Sequence, residues 1–293
     1  MILRPTVRGA GRRPWPALRA DGLAIALLVL FVGAALVAPA AALFRSSLMA
    51  SGRPSLEVYT RILMAGGYRR AIATSLALAA TTATLGSVLG GAVAVSLHRT
   101  AGDRFRGLFL SLAAVATNYG GVPLAFGFIL LLGSQGAITL LLGSLVGRQV
   151  PVELVSFWGL VLVYLYFLIP LCVLTFLPAL VALRSELRDA ASVHGGRAIH
   201  FWRYVGGPIL LPPLTASFVL LFAHALGSFT TPWAIVGGGS DLTLMTLQIG
   251  FLFGEAGFDL EAADALAVMI MLLAGASLLI YRLLMSRVAR WIG

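Results

Sequence analysis

The chain contains no lysine, a single cysteine and few charges of either sign. Without lysine it lacks the G-x-x-x-x-G-K-[ST] loop that binds nucleotide phosphates, so it cannot hydrolyse ATP in that way. The single cysteine, Cys172, excludes an intrachain disulfide and a cysteine metal cluster, and we expect it to be a small buried side chain. Only 11% of the residues are charged, against about 25% in soluble domains. This shortage of charge excludes an ordinary soluble protein.

Catalytic and metal-binding patterns are missing as well. None of the four histidines lies in an H-E-x-x-H or other metal spacing, and no G-x-S-x-G motif occurs. We therefore predict no enzyme activity, no metal site and no cofactor in this chain. His224 alone falls within a long apolar run, where it is either functional or hydrogen-bonded to a neighbouring helix.

Apolar runs dominate what is present. A membrane-spanning helix needs about 20 mostly apolar residues, and six runs meet this length. They are Leu23–Phe44, Ile72–Leu97, Gly107–Gly133, Phe157–Leu180, Pro208–Phe229 and Ala262–Tyr281. The sequence thus predicts an all-α membrane protein, a single domain over residues 1–293. A shorter run, Ser134–Val146, predicts a surface helix.

Arginine sets the expected orientation, because positively charged loops stay in the cytoplasm. With the tail of about residues 1–21 inside, fifteen of the twenty-one arginines fall on the cytoplasmic side. Both termini are then cytoplasmic. Six arginines fall outside, five of them between the first two spans, which indicates a structured outer segment there. The net charge of +10 fits membrane topology and contact with anionic lipid; no basic stretch with interleaved aromatics favours nucleic acid.

A polar island from Asp189 to Pro208 separates two apolar runs. Gly195-Gly196 predicts a turn between two short helices. In the second helix Ile199, Trp202 and Val205 recur at helical spacing and predict an apolar face, with His200 and Arg203 elsewhere. Trp202 would then be an interface anchor. Pro208 is suited to begin the next span. The alternative is an arginine-rich loop that only fixes topology.

This island resembles the cytoplasmic EAA loop of type I ABC importer permeases. Asp189-Ala190-Ala191 corresponds to E-A-A, and Gly195 corresponds to the glycine of the pattern. Val205, Gly207 and Pro208 correspond to its I-x-L-P end, with aspartate replacing glutamate and glycine replacing leucine. The segment Gly227–Pro232 is similar to the spermidine/putrescine branch and its relatives for ferric iron, sulfate, thiamine and aminoethylphosphonate.

The resemblance implies a six-span permease of the bacterial inner membrane with a docking loop at about residues 182–207. It implies two ABC ATPase subunits, a second permease subunit, like or unlike, and an external substrate-binding protein as partners. ATP and Mg would be bound by the ATPase. The residues implied to couple to the ATPase are Asp189, Ala190, Ala191, Gly195, Gly196, Ile199, Trp202 and Pro208.

Polar groups inside the spans are the candidates for a substrate path. They are Asn118, Tyr119, His224 and Ser228, with Thr230 and Thr231 at the outer end. Each could instead hydrogen-bond between packed helices. Acidic residues cluster between Pro232 and Asp264, where they favour either a cationic substrate such as a polyamine or docking of the binding protein.

Two other functions remain open. A secondary transporter or channel without an ATPase would need ionisable residues at the bilayer midplane and inverted repeats; only His224 fits, and no convincing repeat is visible. A structural membrane subunit of an unrelated complex is the third interpretation.

Overall fold

A computed structural model describes residues 17–50, 53–100, 102–147, 153–183, 198–237, 242–254 and 259–292. These residues form twelve α-helices, one π-helical turn and one two-stranded hairpin. The helices are α1 (Ala17–Ser47), α2 (Glu57–Met64), α3 (Gly66–Thr100), α4 (Asp103–Asn118), α5 (Val122–Leu132), α6 (Ala137–Val146), α7 (Phe157–Ala182), α8 (Ala198–Phe201), α9 (Gly207–Gly227), α10 (Thr230–Val236), α11 (Met245–Phe253) and α12 (Leu260–Ile292). The antiparallel strands β1 (Met49–Ala50) and β2 (Arg53–Pro54) pair Met49 with Pro54.

The prediction of six membrane-spanning segments is confirmed. Six stretches are long and apolar enough to cross a bilayer: Ala24–Ser47, Gly66–Thr100, Val122–Val146, Phe157–Ala182, Ile199–Gly227 and Leu260–Leu283. The direction in which they cross stays a prediction. We call the end where α3 and α7 finish and α9 starts the docking end, and the other the opposite end.

The core lies where α3, α7 and α9 pack against each other. Small residues on α3 allow the close approach: a Cβ added at Gly90 would lie 2.5 Å from the Cβ of Cys172, and one at Gly86 would lie 2.9 Å from a methyl of Leu221. Leu168 and Cys172 of α7 are fully buried. As expected, Cys172 acts as a small apolar side chain in this core.

The third span differs from its prediction as one continuous helix, Gly107–Gly133. It is broken at residues 119–121 into α4 and α5. The first piece, α4, packs along α7, with Leu110 near Leu177. The second piece, α5, packs mainly against α10 and touches α7 where Phe128 meets Tyr166 edge-on, with ring centroids 5.9 Å apart. Gly121 has a φ of 76°, which a right-handed helix cannot accommodate. A helix is present within Ser134–Val146, as α6, but α5 and α6 together form the membrane-crossing stretch Val122–Val146, so the position of α6 on the membrane surface stays a prediction.

The opposite end carries a second, smaller core. Val58 and Ile62 of α2 are buried against Met245 of α11 and Leu266 of α12. The structured segment expected between the first two spans is therefore present, as the hairpin followed by α2. By contrast α1 contacts α12, but no residue in the most apolar part of its span is buried in this chain.

Candidate functional site

Two helix interruptions meet inside the bundle. The first separates α4 from α5 at residues 119–121, and the second separates α9 from α10 at residues 228–229. The backbone N–H of Gly121 donates to Thr231 Oγ1 at 2.9 Å, joining the two breaks. A helix break leaves backbone groups without intrahelical partners, and here Thr231, which is buried, supplies one. We call this place the polar junction.

Ser228 ties the polar junction to α7 and α11. Its backbone carbonyl accepts a hydrogen bond from Thr246 Oγ1 at 3.1 Å, and its side chain interacts with the hydroxyl of Tyr164. Tyr164 is fully buried, so its hydroxyl requires such a partner. Four segments of the chain thus converge on the polar junction.

The predicted path residues come together here, in two different roles. Thr231 and Ser228 hold helices together, which is the packing role that the sequence left open. Asn118, Tyr119, His224 and Thr230 are exposed on this chain. The Asn118 amide donates to its own helix, to Ala114 O at 2.8 Å, and the ring of His224 lies 5.4 Å from that of Phe167. These four present polar groups to whatever faces the bundle.

Sequence reasoning missed Gly121 and the contribution of Tyr164. A signal for the break exists in Asn118-Tyr119-Gly120-Gly121-Val122-Pro123. A glycine pair followed by proline is typical of one helix ending and another beginning. Within a long apolar run this signal is easily overlooked.

The docking segment, residues 189–208, is described from Ala198 onward. Asp189, Ala190, Ala191, Gly195 and Gly196 lie outside the described residues, and so does the predicted turn. From Ala198 the chain is helical without interruption to Gly227, through α8, the π-turn Trp202–Gly206 and α9.

As expected, Pro208 lies in the first turn of α9, although the chain is already helical before it. The N–H of Gly207 donates to the carbonyl of Trp202, five residues back. Proline has no N–H to donate and crowds the preceding turn. A locally widened π-turn accommodates it without ending the helix.

Trp202 contacts its own chain, and its predicted role as an interface anchor stays a prediction. Its indole is half-buried and packs on the core of its own chain. The guanidinium carbon of Arg99, at the end of α3, lies 5.4 Å from the centre of the indole ring, and Phe201 meets it edge-on at 5.7 Å. A Cβ at Gly206 would approach the indole to 3.0 Å, so a bare glycine makes room for the ring. Trp202 therefore links the docking segment to α3.

The exposed face of this short stretch has a different composition from the prediction. Ile199 and Tyr204 are 70% and 67% exposed. The rings of His200 and Tyr204 are parallel, 6.5 Å apart, and the guanidinium of Arg203 lies 5.8 Å from the Tyr204 ring. His200 and Arg203, which were expected to point away from the apolar face, are exposed beside Ile199 and Tyr204. Helical spacing identified the row formed by Ile199, Trp202 and Val205, but it did not predict which of these residues the core of the protein covers.

Acidic residues of the outer segment are engaged within the chain where the structure describes them. Asp259 forms an ion pair with Arg61, with 2.8 Å between the charged atoms, and accepts the N–H of Ala262 at 3.1 Å. Asp264 is buried and accepts a hydrogen bond from Ser46. Asp241 and Glu255 lie outside the described residues. Among the described residues, no three of His, Cys, Asp and Glu are grouped to hold a metal ion.

Comparison with solved structures defines the class of the fold. The chain superposes on a bacterial ABC transporter involved in the import of the acidic polysaccharide alginate, with a TM-score of 0.70 and 15% identity, over 93% of this chain and 98% of that one. It also matches the MetNI methionine ABC transporter in inward facing conformations, with a TM-score of 0.55 and 17% identity, over 75% of this chain and 94% of that one. The fold is that of a type I ABC importer membrane subunit.

Sequence comparison agrees with this class. No family model matches the chain. It is 29% identical over 277 residues, 92% of its length, to the ferric transport system permease protein FbpB of Actinobacillus pleuropneumoniae. It is 30% identical over 189 residues, 62% of its length, to the thiamine transport system permease protein ThiP of Salmonella typhimurium. These matches span only 37% and 34% of the two relatives.

In fold and in sequence the chain is therefore similar to the membrane-spanning permease subunits of bacterial ABC importers. Both relatives are more than twice as long as the part that this chain matches, so each contains further sequence outside the shared region.

Proposed function

We propose that this chain is the permease subunit of an ATP-driven importer and couples to a separate ATPase through the docking segment, residues 189–208. It carries no ATPase activity of its own. The observation that carries the proposal is the uninterrupted helical path from Ile199 to Gly227. At 1.5 Å per residue its 29 residues extend about 43 Å, from the docking segment to the polar junction. A displacement at one end is thereby conveyed to the other.

The partners follow from the class of the protein. Two ATPase subunits would bind ATP and Mg, and an external substrate-binding protein would deliver the solute. A second permease subunit, like or unlike, would complete the path. The exposed Asn118, Tyr119, His224 and Thr230 support this arrangement, because polar groups at membrane depth require a polar or aqueous surrounding. A path between two permease chains supplies one.

Within the docking segment the structure favours a division of roles. Ile199, His200, Arg203 and Tyr204 form the surface that meets the ATPase, together with the residues that precede Ala198. Trp202 acts behind that surface and passes its movement to α3 through Arg99. Coupling free energies between distant sites are typically about 1 to 3 kcal/mol, which one well-packed tryptophan contact can supply.

The first substrates to test are ferric iron and thiamine. Named relatives of this chain are ferric and thiamine transport system permeases. Polyamine, sulfate and aminoethylphosphonate stay predictions from the Gly227–Pro232 resemblance. The engagement of Asp259 and Asp264 within the chain weakens the argument that an acidic outer surface selects a cation.

Coupling is tested with Gly195→Asp, which places a charge at the predicted turn. Gly67→Asp is the matched control, because a Cβ at Gly67 meets nothing within 4 Å and that glycine lies at the opposite end. We expect both variants to insert into the membrane. Only Gly195→Asp should lose the co-purified ATPase or leave its hydrolysis uncoupled from uptake. Normal assembly and normal uptake with Gly195→Asp would refute the proposed role of the segment.

A secondary transporter is distinguished in the same system. Proteoliposomes that contain the chain without its ATPase should take up neither ferric iron nor thiamine. Uptake driven by an ion gradient alone would instead support the rival function.

A further inference from the structure

We propose that a groove between α3 and α9 binds one acyl chain of an anionic phospholipid, with the lipid phosphate at Arg99. The groove lies at the docking end and encloses about 620 Å³. We call it the inner groove. Its walls are mainly Val88, Gly91 and Val95 of α3, Leu210 and Leu214 of α9, and Trp202. The site shares Trp202 and Arg99 with the proposed coupling route, and its lining contains none of the candidate path residues.

The walls of the inner groove suit a hydrocarbon chain. Nearly all of the lining side chains are aliphatic or aromatic, and its volume falls within the range of about 300 to 1,000 Å³ that ligand cavities occupy. Val88 and Leu211 at its margin are 64% and 54% exposed. The groove therefore opens on the surface of this chain, which gives a lipid tail access from the side.

The length of the inner groove matches an acyl chain from one leaflet of the bilayer. The α3 residues that line the groove run from Ser87 to Ser96, which is about 14 Å along a helix. Half the hydrocarbon thickness of a bilayer is about 15 Å. One end of the groove thus lies near the midplane and the other near the headgroups.

Charge selects the headgroup. Arg99 follows the groove by less than one turn of α3, and its guanidinium lies over the Trp202 ring, 5.4 Å from the ring centre. Tryptophan side chains concentrate at the headgroup level of membranes, which places Arg99 at the depth of a phosphate. Among the described residues, Arg99 has no carboxylate within ion-pair distance. A lipid phosphate complements the guanidinium.

The test uses the full-length chain in nanodiscs of phosphatidylglycerol or of phosphatidylcholine. Each nanodisc contains a trace of the same lipid with a photoactivatable acyl chain, and adducts are mapped by mass spectrometry. We expect phosphatidylglycerol adducts to concentrate on α3 residues 88–95 and α9 residues 210–214, well above those on α1. The exposed face of α1 is the control, since its span is more apolar than those of α3 and α9 and none of its most apolar stretch is buried in this chain.

Two pairs of variants examine the headgroup and the tail separately. Arg99→Gln should lower the groove adducts of phosphatidylglycerol about fivefold, to the level of phosphatidylcholine, while Arg70→Gln at the far end of α3 should change nothing. Gly91→Leu should remove groove adducts of both lipids, because a Cβ there points toward Leu214 at 3.6 Å and a longer side chain fills the space. Gly33→Leu on α1, with open space around it, is its control.

Three results would overturn the proposal. Adducts spread evenly over α1, α3 and α9 would show that the inner groove holds no particular lipid. Equal effects of Arg99→Gln and Arg70→Gln would remove the headgroup contact. Crosslinking of Ala92→Cys to a second copy of the chain, in place of lipid adducts, would show that another permease occupies the groove. None of these results depends on the ATPase, so they are independent of the proposed function.

Discussion

The two ends of the helix bundle are held together in different ways. At the opposite end, side chains far apart in sequence bond directly: Ser46 to Asp264, Arg61 to Asp259, and Ser75 to the backbone of Met245 at 2.8 Å. At the docking end the helices diverge around cavities, of which the inner groove is one. Another lies between α4 and α7, and a third lies between α7, α9 and α12.

Helix α3 shows both kinds of packing, tight contact and an open groove, along its length. At Gly86, α3 touches both α7 and α9, through Leu168 and Leu221. Five residues later, on another side of α3, a Cβ added at Gly91 would lie at an ordinary 3.6 Å from a methyl of Leu214 of α9, and Gly91 lines the inner groove. Local opening is cheapest where buried contacts are few. We therefore expect the docking end to move while the opposite end stays closed.

The largest loss of stability is expected where α3 packs tightly against α7. Gly90→Val would force its Cβ to 2.5 Å from Cys172 and 2.9 Å from the carbonyl oxygen of Ile169, and should cost about 3 kcal/mol of stability. Gly91→Ala, one residue further on, should stay within about 0.5 kcal/mol. Thermal unfolding in detergent measures both. Equal losses would show that the two faces of α3 are packed alike.

A smaller loss is expected from Ser46→Val. This change leaves the buried Asp264 without the hydroxyl that donates to it, and an unsatisfied buried acceptor costs about 1 to 3 kcal/mol. Ser96→Val is the control at the docking end, since Ser96 is exposed and its hydroxyl bonds, among the residues that the structure describes, to its own helix at Ala92 O. If Ser96→Val destabilised the protein as much as Ser46→Val does, the hydrogen bond between Ser46 and Asp264 would give the opposite end no extra stability.

Thr175→Val tests a polar contact near the docking end. The Thr175 and Ser217 hydroxyls lie 2.9 Å apart between α7 and α9, but each also bonds a carbonyl of its own helix. We expect a loss near the average of about 0.6 kcal/mol for interhelical hydrogen bonds in membranes. Unfolding of single and double variants with Ser217→Ala gives the coupling. If this coupling energy exceeded that between Ser46 and Asp264, the docking end would be the one held by the stronger side-chain contact.

The smallest effect is expected for the ion pair between Arg61 and Asp259. Its side chains are 51% and 31% exposed, so water and salt screen the charges. A double-mutant cycle with Arg61→Gln and Asp259→Asn should give about 0.5 kcal/mol or less. Asparagine can still accept the N–H of Ala262 as an N-terminal cap, so the cycle isolates the ion pair. A coupling energy of several kcal/mol would instead make this ion pair the strongest of the contacts that stabilise the opposite end.

The membrane fold could be predicted because each span is long, apolar and local in sequence. The break at Gly121 could not be predicted with the same ease, since its stabilising partner, Thr231, is 110 residues away in sequence. A glycine in an apolar run does not reveal whether a distant side chain will receive its N–H. Tertiary contact decides between a straight helix and a broken one.

The sequence identified which residues belong to the candidate site better than it predicted which way their side chains face. The polar residues Asn118, His224 and Ser228 were identified because polar groups are rare inside spans. Which of them face outward depends on how α4 and α9 are rotated, and spacing alone leaves that open. The same limit applies to Trp202: a period of 3.6 residues defines a stripe, while the neighbours Arg99 and Phe201 decide which side of it is buried.

The burial of Cys172 has a practical consequence for spectroscopy. A thiol enclosed by α3 and α7, with no exposed surface, reacts poorly with reagents that require an accessible thiolate. Spin labels or fluorophores can therefore be attached to single introduced cysteines while the natural one stays in place. Distances between probes on α3 and α9, measured at both ends of the bundle, would then record directly whether the helices separate at one end during the transport cycle.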